Sequence, residues 1–214
     1  MSNLDLIKDL RNKTGAGFLD CKLALSENNN NLDEAINFLR KKGLAKATKK
    51  SSREANEGAI GVYENDKVKV VIKINSETDF AAKSETFLNF IDFLGTAALS
   101  NNNYNISKEE FLEYDYKDKK ISEYFTEMIA KIGENLVLSE IVFFDLNNSK
   151  TSHYVHNSYK ENIGKIVSIL QFNSNKIDEK LSTDIKNICM HIAAMKPESL
   201  DIEDLDKNLI ENEK

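Results

Sequence analysis

Three short runs of hydrophobic residues at helical spacing occupy residues 4–43. Their apolar positions are Leu4, Ile7 and Leu10, then Phe18, Cys21 and Leu25, and finally Leu32, Ala35, Ile36 and Leu39. Glycines within residues 15–17 and asparagines at 28–31 separate the runs, and Gly43 stands where a helix C-cap is expected. This pattern predicts a bundle of three helices over residues 1–44, followed by a basic linker over residues 45–56 that is helical in part.

After Gly58 the spacing of apolar residues changes from helical to alternating. Apolar positions from Val68 to Ile74 alternate with lysines, which predicts a strand with one face in solvent, paired as a hairpin with residues 59–63. Further strands are predicted at 135–144, 151–157 and 163–172. Strands joined by short loops, with helices in separate runs, indicate an α+β fold with an antiparallel sheet.

Helical spacing returns in three later segments. Their apolar positions are Phe87, Ile91 and Leu94; Ile121, Phe125, Met128 and Ile132; and Ile177, Leu181, Ile185, Ile188, Ile192 and Met195. Pro197 is expected to end the last of these helices. Residues 200–214 predict an acidic amphipathic helix, whereas residues 101–119 show no clear pattern.

The composition restricts the kinds of site that the chain can carry. Its 214 residues include eight glycines and one proline, with neither G-x-G-x-x-G nor G-x-x-x-x-G-K-[ST]. Such loops cradle phosphates, so we expect no direct nucleotide binding and no cofactor. Cys21 and Cys189 have no partners at metal-ligand spacing, so neither a disulfide framework nor a metal site is expected. Without a recognisable signal peptide or membrane helix, the expectation is a cytoplasmic protein with no membrane partner.

The net charge of −6 is unevenly distributed along the chain. Residues 40–53 contain seven basic residues and no acidic one, while residues 198–214 are strongly acidic. Only three of all the basic residues are arginines, and few guanidinium forks argue against base or phosphate recognition. We therefore interpret residues 40–53 as a solvated linker and expect no nucleic-acid partner, with RNA binding there as the less favoured alternative.

No constellation in the sequence points to covalent chemistry. His153, His156 and His191 fall in unrelated contexts, and no serine or cysteine has a nucleophile motif around it. The expectation is a protein that is not an enzyme.

The segment Thr-Asp-Phe-Ala-Ala-Lys at 78–83 lies between a predicted strand and a predicted helix. Thr78 or Asp79 could cap the start of the helix, with Phe80 packed onto Phe87 in the core. Alternatively, Asp79 and Phe80 project together as an anchor pair, a composition typical of interface hot spots. The residues taken alone favour the first interpretation.

Two longer motifs carry a resemblance to a known family. Residues 11–25, Arg-Asn-Lys-Thr-Gly-Ala-Gly-Phe-Leu-Asp-Cys-Lys-Leu-Ala-Leu, resemble the N-terminal signature of the translation elongation factor Ts family, and residues 77–83 resemble its second signature. The similarity continues in Lys-Ile-Gly-Glu-Asn at 131–135, in Tyr-Val-His-Asn at 154–157 with Gly164, and in Met-His-Ile-Ala-Ala-Met-Lys-Pro at 190–197. These motifs stand in the family's order and span nearly the whole chain.

The resemblance implies a guanine-nucleotide exchange factor of translation, which binds elongation factor Tu in its GDP-bound and nucleotide-free states. It also implies a ubiquitin-associated-like (UBA-like) three-helix domain, a linker and an α+β core, with core subdomains at 57–146 and 147–214. Arg11, Phe18 and Leu19 match positions that grip the partner's nucleotide-binding domain. Helical spacing alone would put Phe18 and Leu19 in the bundle core, but adjacent residues cannot share one helix face, so at least one should point outward.

The family's Thr-Asp-Phe segment approaches the partner's magnesium site and helps to displace the ion. The resemblance therefore implies this role for Thr78, Asp79, Phe80 and Ala81. His156 matches a histidine that the family sets against the same nucleotide-binding domain.

The sequence departs from the family pattern in three places. Ala81 stands where the family usually has valine, and residues 157–162 differ from the commoner glycine-rich loop. Family members generally continue past the final acidic helix, so we expect a short form or a fragment. This departure keeps an alternative open, a truncated protein-binding module without exchange activity.

Overall fold

The structure, a computed structural model, describes residues 3–205 and contains both helices and an antiparallel sheet. The helices are α1 (Asn3–Thr14), α2 (Phe18–Glu27), α3 (Leu32–Lys50), α4 (Asp79–Ala82), α5 (Glu85–Ser100), α6 (Lys108–Leu112), α7 (Ile121–Ile132) and α8 (Glu179–Met195). The strands are β1 (Glu57–Glu64), β2 (Val68–Ser76), β3 (Asp115–Tyr116), β4 (Lys119–Lys120), β5 (Leu136–Asp145), β6 (Lys150–Lys160) and β7 (Ile163–Phe172). The α+β prediction is confirmed.

The first three helices pack on one another as the sequence predicts. Leu10, Cys21, Leu25 and Ala35 are fully buried and form the centre of this bundle. The side chain of Asn31 caps α3 by accepting hydrogen bonds from the amides of residues 33 and 34. The bundle's likeness to a UBA domain and the domain boundaries stay predictions.

The expectation that Gly43 ends a helix is wrong, because α3 continues to Lys50 and includes the first half of the predicted linker. Gly43 is buried where α3 crosses α7, and a Cβ there would lie 3.4 Å from the Cβ of Ala130. The glycine therefore permits close approach of two helices. Beside this crossing, Arg40 Nη2 lies 3.3 Å from Glu123 Oε2, so the bundle is joined to the core by packing and by charge.

The main sheet has five strands in the order β5-β2-β1-β7-β6, and every neighbouring pair is antiparallel. Helix α5 covers one face of the β1–β2 hairpin. The predicted face of α5, Phe87, Ile91 and Leu94, is fully buried against strand residues such as Ile72 and Ile74. This contact forms the main hydrophobic core.

The second hairpin, β6–β7, is joined to the first by a short pairing of β1 with β7 at Ile60↔Gly164 and Gly61↔Ile163. The strand predicted at 151–157 extends to Lys160, so the connection to β7 has only two residues. The register of β6 shifts between residues 158 and 160, with Asn157 at φ 51°. Gly164 permits this bulge, because a Cβ there would lie 2.8 Å from the carbonyl oxygen of His156.

Helix α8 packs on β6 and β7 with a face that overlaps only in part the one that its periodicity predicts. Ile185 and Cys189 are buried, whereas Ile188 and Met195 are 46% and 67% exposed. The small Cys189 allows a close approach, and its carbonyl oxygen accepts a 2.6 Å hydrogen bond from Ser168 Oγ. Apolar residues surround much of this helix, so spacing alone could not identify the packed face.

The remaining predictions concern the less patterned segments. Residues 101–119 contain α6, which begins with a capping box at Ser107 and Glu110, and most of a small two-stranded hairpin, β3–β4. The predicted acidic helix at 200–214 is a 3₁₀ turn at Ile202–Asp204 within the described part, and residues 206–214 lie outside the described residues. Within residues 3–205, no helix is long and apolar enough to cross a membrane.

A buried lysine connects the two hairpins, so the prediction that β2 has one face in solvent is wrong. Lys69 on β2 is 2% exposed, and its Nζ lies 2.9 Å from Glu64 Oε2 and 3.2 Å from His153 Nδ1 on β6. An ammonium group can only donate, so Nδ1 of His153 accepts and is unprotonated. Burial, with the positive charge of Lys69, lowers the pKa of His153.

We expect this cluster to weaken the fold in mild acid. Below about pH 6.5 the unfolded chain protonates the imidazole while the folded chain keeps His153 neutral, so the unfolded state binds more protons and stability falls. Urea unfolding at about pH 7.5 and 5.5 should show a smaller loss of stability for His153→Gln than for wild type. His191→Gln, which changes an exposed histidine of α8, is the control and should keep the wild-type loss. Equal losses in wild type and His153→Gln would contradict this account.

Candidate partner-binding site

The segment that connects β2 to α5 forms a rigid corner, residues 78–84, which we call the capped corner. Thr78 is the N-cap of α4, and its Oγ1 accepts a 3.2 Å hydrogen bond from the amide of Ala81. Ser84 is the N-cap of α5, and its Oγ accepts from the amide of Phe87 at 3.3 Å. Two consecutive caps thus fix the backbone on both sides of Phe80.

Phe80 projects from the capped corner into solvent. Its side chain is 85% exposed, whereas Phe87 is fully buried. The interpretation that packs Phe80 onto Phe87 in the core is therefore wrong. Ala81 and Ala82 are 8% and 0% exposed, so they anchor α4 while Phe80 points away. An exposed large aromatic on a fixed backbone is a favourable anchor for a partner.

The two charged residues of the capped corner pair with each other. Asp79 Oδ2 lies 2.9 Å from Lys83 Nζ, and this hydrogen bond holds the pKa of Asp79 below its usual value. Lys83 Nζ also lies 5.7 Å from the ring centroid of Tyr159 on β6. Asp79 is therefore engaged within the corner, and Phe80 is its projecting group.

A second exposed apolar surface lies on the three-helix bundle. Phe18 and Leu19 begin α2 and are 44% and 78% exposed, so neither belongs to the bundle core. Arg11 is exposed in the last turn of α1, on the other side of the connection at residues 15–17. The three predicted partner-binding residues of the bundle are thus exposed on the two helices that flank residues 15–17.

The sequence reasoning missed Leu23, which is 41% exposed and lies one helical turn after Leu19. Cys21, Ala24 and Leu25 form the buried face of α2. Placing the helix on that face would have assigned Leu23 to the solvent side. Leu19 and Leu23 together form an apolar stripe along α2.

His156 lies on β6 and is exposed. Its Nδ1 is 3.2 Å from the hydroxyl of Tyr154, two residues earlier on the same strand. The bulge that follows His156 redirects β6 and brings Tyr159 to Lys83 of the capped corner. The predicted site residues therefore lie on four elements, α1, α2, α4 and β6, and they include two continuous segments, residues 18–19 and 78–81.

The described residues show no arrangement for binding a metal ion. Within residues 3–205, no group of three or more histidine, cysteine, aspartate or glutamate side chains could hold one. The two cysteines, Cys21 and Cys189, are buried and free.

Comparisons with known proteins identify what the chain is similar to. The family model described as elongation factor TS matches residues 77–214. The chain is 41% identical to elongation factor Ts of Rickettsia typhi over 97% of this chain and 67% of that protein. It is 38% identical to elongation factor Ts of Ehrlichia canis, over 99% of this chain and 73% of that protein. Elongation factor Ts of Rhodospirillum centenum is also 38% identical, over 98% of this chain and 68% of that protein.

The exposure of Phe80 predicts that its ring contributes little to folding. Phe80→Ala should change the free energy of unfolding by less than about 0.5 kcal/mol, as for other exposed positions. Phe87→Ala, the matched core variant in the same segment, should cost about 3–5 kcal/mol because it leaves a cavity. Urea unfolding of both variants checks this difference. A comparable loss for Phe80→Ala would show that its ring packs inside the protein.

Proposed function

The chain belongs to the elongation factor Ts family, and on this premise we propose that it is a guanine-nucleotide exchange factor of translation. It binds elongation factor Tu in the GDP-bound state, promotes release of GDP and leaves when GTP binds. It performs no covalent chemistry and acts in the cytoplasm without a cofactor. The observation that carries this proposal is Phe80, an aromatic side chain that a rigid corner holds 85% exposed.

The proposed mechanism uses Phe80 as a wedge. The ring enters the partner's nucleotide-binding domain near the magnesium site, with Thr78, Asp79 and Ala81 fixing its position. Mg²⁺ requires near-ideal octahedral geometry, so a small shift of the loops that support it costs much affinity for the nucleotide. Burial of the ring contributes about 1.5–3 kcal/mol toward the shifted state.

Exchange then follows from linkage between two binding equilibria. If the factor weakens the partner's affinity for GDP, GDP weakens the factor's affinity for the partner by the same ratio. The nucleotide-free complex is consequently the most stable one, and incoming GTP expels the factor. The absence of a phosphate-binding loop from the sequence is consistent with a nucleotide that is bound only by the partner.

The bundle supplies affinity in this proposal, and the capped corner supplies the distortion. Phe18 and Leu19 offer exposed apolar surface to the nucleotide-binding domain. Arg11 offers a guanidinium group from the last turn of α1, and His156 makes a further contact from β6. These groups bind before and after release of the nucleotide. They therefore set the concentration at which exchange is half-maximal.

Stopped-flow release of labelled GDP from elongation factor Tu tests the proposal. Wild type at micromolar concentration should accelerate release, and Phe80→Ala should lower the maximal rate by about ten- to a hundredfold, the equivalent of the lost burial energy. Phe18→Ala should mainly raise the half-saturating concentration, by about tenfold, with little change in the maximal rate.

Other outcomes would favour other functions. Stable binding of the partner by wild type with unchanged release of GDP would indicate the protein-binding module without exchange activity. Equal effects of Phe80→Ala and Phe18→Ala on the rate and on the half-saturating concentration would contradict the division between wedge and grip. For the segment 40–53, a salt-dependent affinity for RNA would revive the nucleic-acid alternative.

A further inference from the structure

The loop that follows α7, residues 133–135, contacts the capped corner directly, and we call it the clamp loop. The carboxylate of Glu134 accepts two hydrogen bonds from Thr78, one from its amide at 3.0 Å and one from its Oγ1 at 2.7 Å. Both carboxylate oxygens are therefore engaged by one residue. Such two-point contact fixes orientation more firmly than a single hydrogen bond does.

Asn135, the next residue of the clamp loop, helps to hold the residue that precedes the capped corner. The amide of Asn135 donates to Glu77 Oε1 at 2.6 Å, and its side-chain nitrogen donates to the carbonyl of Arg53 at 2.8 Å. Arg53 in turn lies 3.3 Å from Glu77 Oε2. These contacts lower the pKa of Glu77 and hold residue 77 immediately before the corner.

The start of the clamp loop explains how Glu134 reaches Thr78. Gly133 has φ 86°, a left-handed conformation that ends α7 and redirects the chain toward the corner. Its amide still bonds to the carbonyl of Ile129, and its own carbonyl accepts from Lys50 Nζ at the end of α3. The clamp loop is thus fixed to α7 and α3, and Glu134 projects from a secured backbone.

We propose that Glu134 is a positioning residue for nucleotide exchange, whose carboxylate holds Thr78 and so keeps Phe80 in the orientation that enters the partner. This inference rests on the proposed exchange function. Thr78 connects Glu134 to Phe80, since its Oγ1 donates to Glu134 and accepts from the amide of Ala81, next to Phe80. Glu134 acts only through Thr78, while Phe80 makes the contact with the partner.

The clamp itself is tested by hydrogen exchange, independently of any partner. In ¹⁵N-labelled protein, Glu134→Ala should speed exchange of the Thr78 and Ala81 amides. The Phe87 amide, which bonds to the second cap at Ser84, should keep its protection. Glu140→Ala removes an exposed carboxylate from β5 and should leave all three amides as in wild type. Unchanged protection of Thr78 in Glu134→Ala would overturn the proposal.

The effect of Glu134→Ala on nucleotide exchange is measured in two kinetic parameters, the maximal rate of GDP release and the half-saturating concentration. Glu134→Ala should lower the maximal rate of GDP release by about tenfold, the scale on which slight misplacement of an acting group works, with an unchanged half-saturating concentration. Glu134→Gln keeps one acceptor oxygen and should fall between wild type and Glu134→Ala. Combined with Thr78→Val, Glu134→Ala should cost much less than it does alone, whereas its effect should multiply with that of Phe18→Ala.

Each remaining outcome decides the question. Faster amide exchange with an unchanged maximal rate would show that Glu134 orders the corner without positioning Phe80, and would overturn the inference. A parallel fall in the maximal rate and the thermal midpoint, with no partial rescue by Glu134→Gln, would indicate general destabilisation and also overturn it. If wild type does not accelerate GDP release, the proposed function fails, and so does the predicted effect of Glu134 on the rate of that release. The hydrogen-exchange arm would still decide whether Glu134 holds the corner.

Discussion

A phenylalanine ring gains about 1.5–3 kcal/mol when it leaves water, and a backbone that holds the ring in solvent prevents it from gaining that free energy within its own chain. Phe80 is 85% exposed because two helix caps and two buried alanines fix the backbone around it. The free energy that the ring cannot gain within its own chain is available on contact with a partner. This constraint is the physical basis on which we propose that the capped corner binds and distorts another protein.

The rest of the fold supports that corner. The β1–β2 hairpin and α5 form the main core, and the corner connects the two directly. The clamp loop contacts it from the end of α7, and α7 also packs against α3 of the bundle. The surface that offers Phe18 and Leu19 and the surface that offers Phe80 are therefore connected by packed helices. The proposed division between a gripping surface and a distorting surface requires such a connection.

Much of this architecture follows from periodicity, because strong patterns leave little choice. The spacing of Phe87, Ile91 and Leu94 identified the buried face of α5, and the alternation along β2 identified its hairpin. Gly43 misled the prediction because a glycine that lets two helices approach looks the same in sequence as one that ends a helix. On α8 the apolar residues extend beyond one face, so only the packing on β6 and β7 selects Cys189. The motifs at 78–81 and 131–135 were visible in the sequence, but their contact joins residues 56 positions apart, which no local pattern encodes.

The central claim is that the ring of Phe80 enters the partner's nucleotide-binding domain beside its magnesium site. Replacing Phe80 with benzoylphenylalanine and irradiating the complex with elongation factor Tu tests it most directly, since the crosslinked peptide identifies the contact. We expect crosslinks to the loops of the nucleotide-binding domain that surround the magnesium ion. These crosslinks should be lost when Phe18→Ala weakens the complex at limiting protein concentration. Crosslinks confined to another domain of the partner, or no crosslink from a complex shown to form, would contradict it.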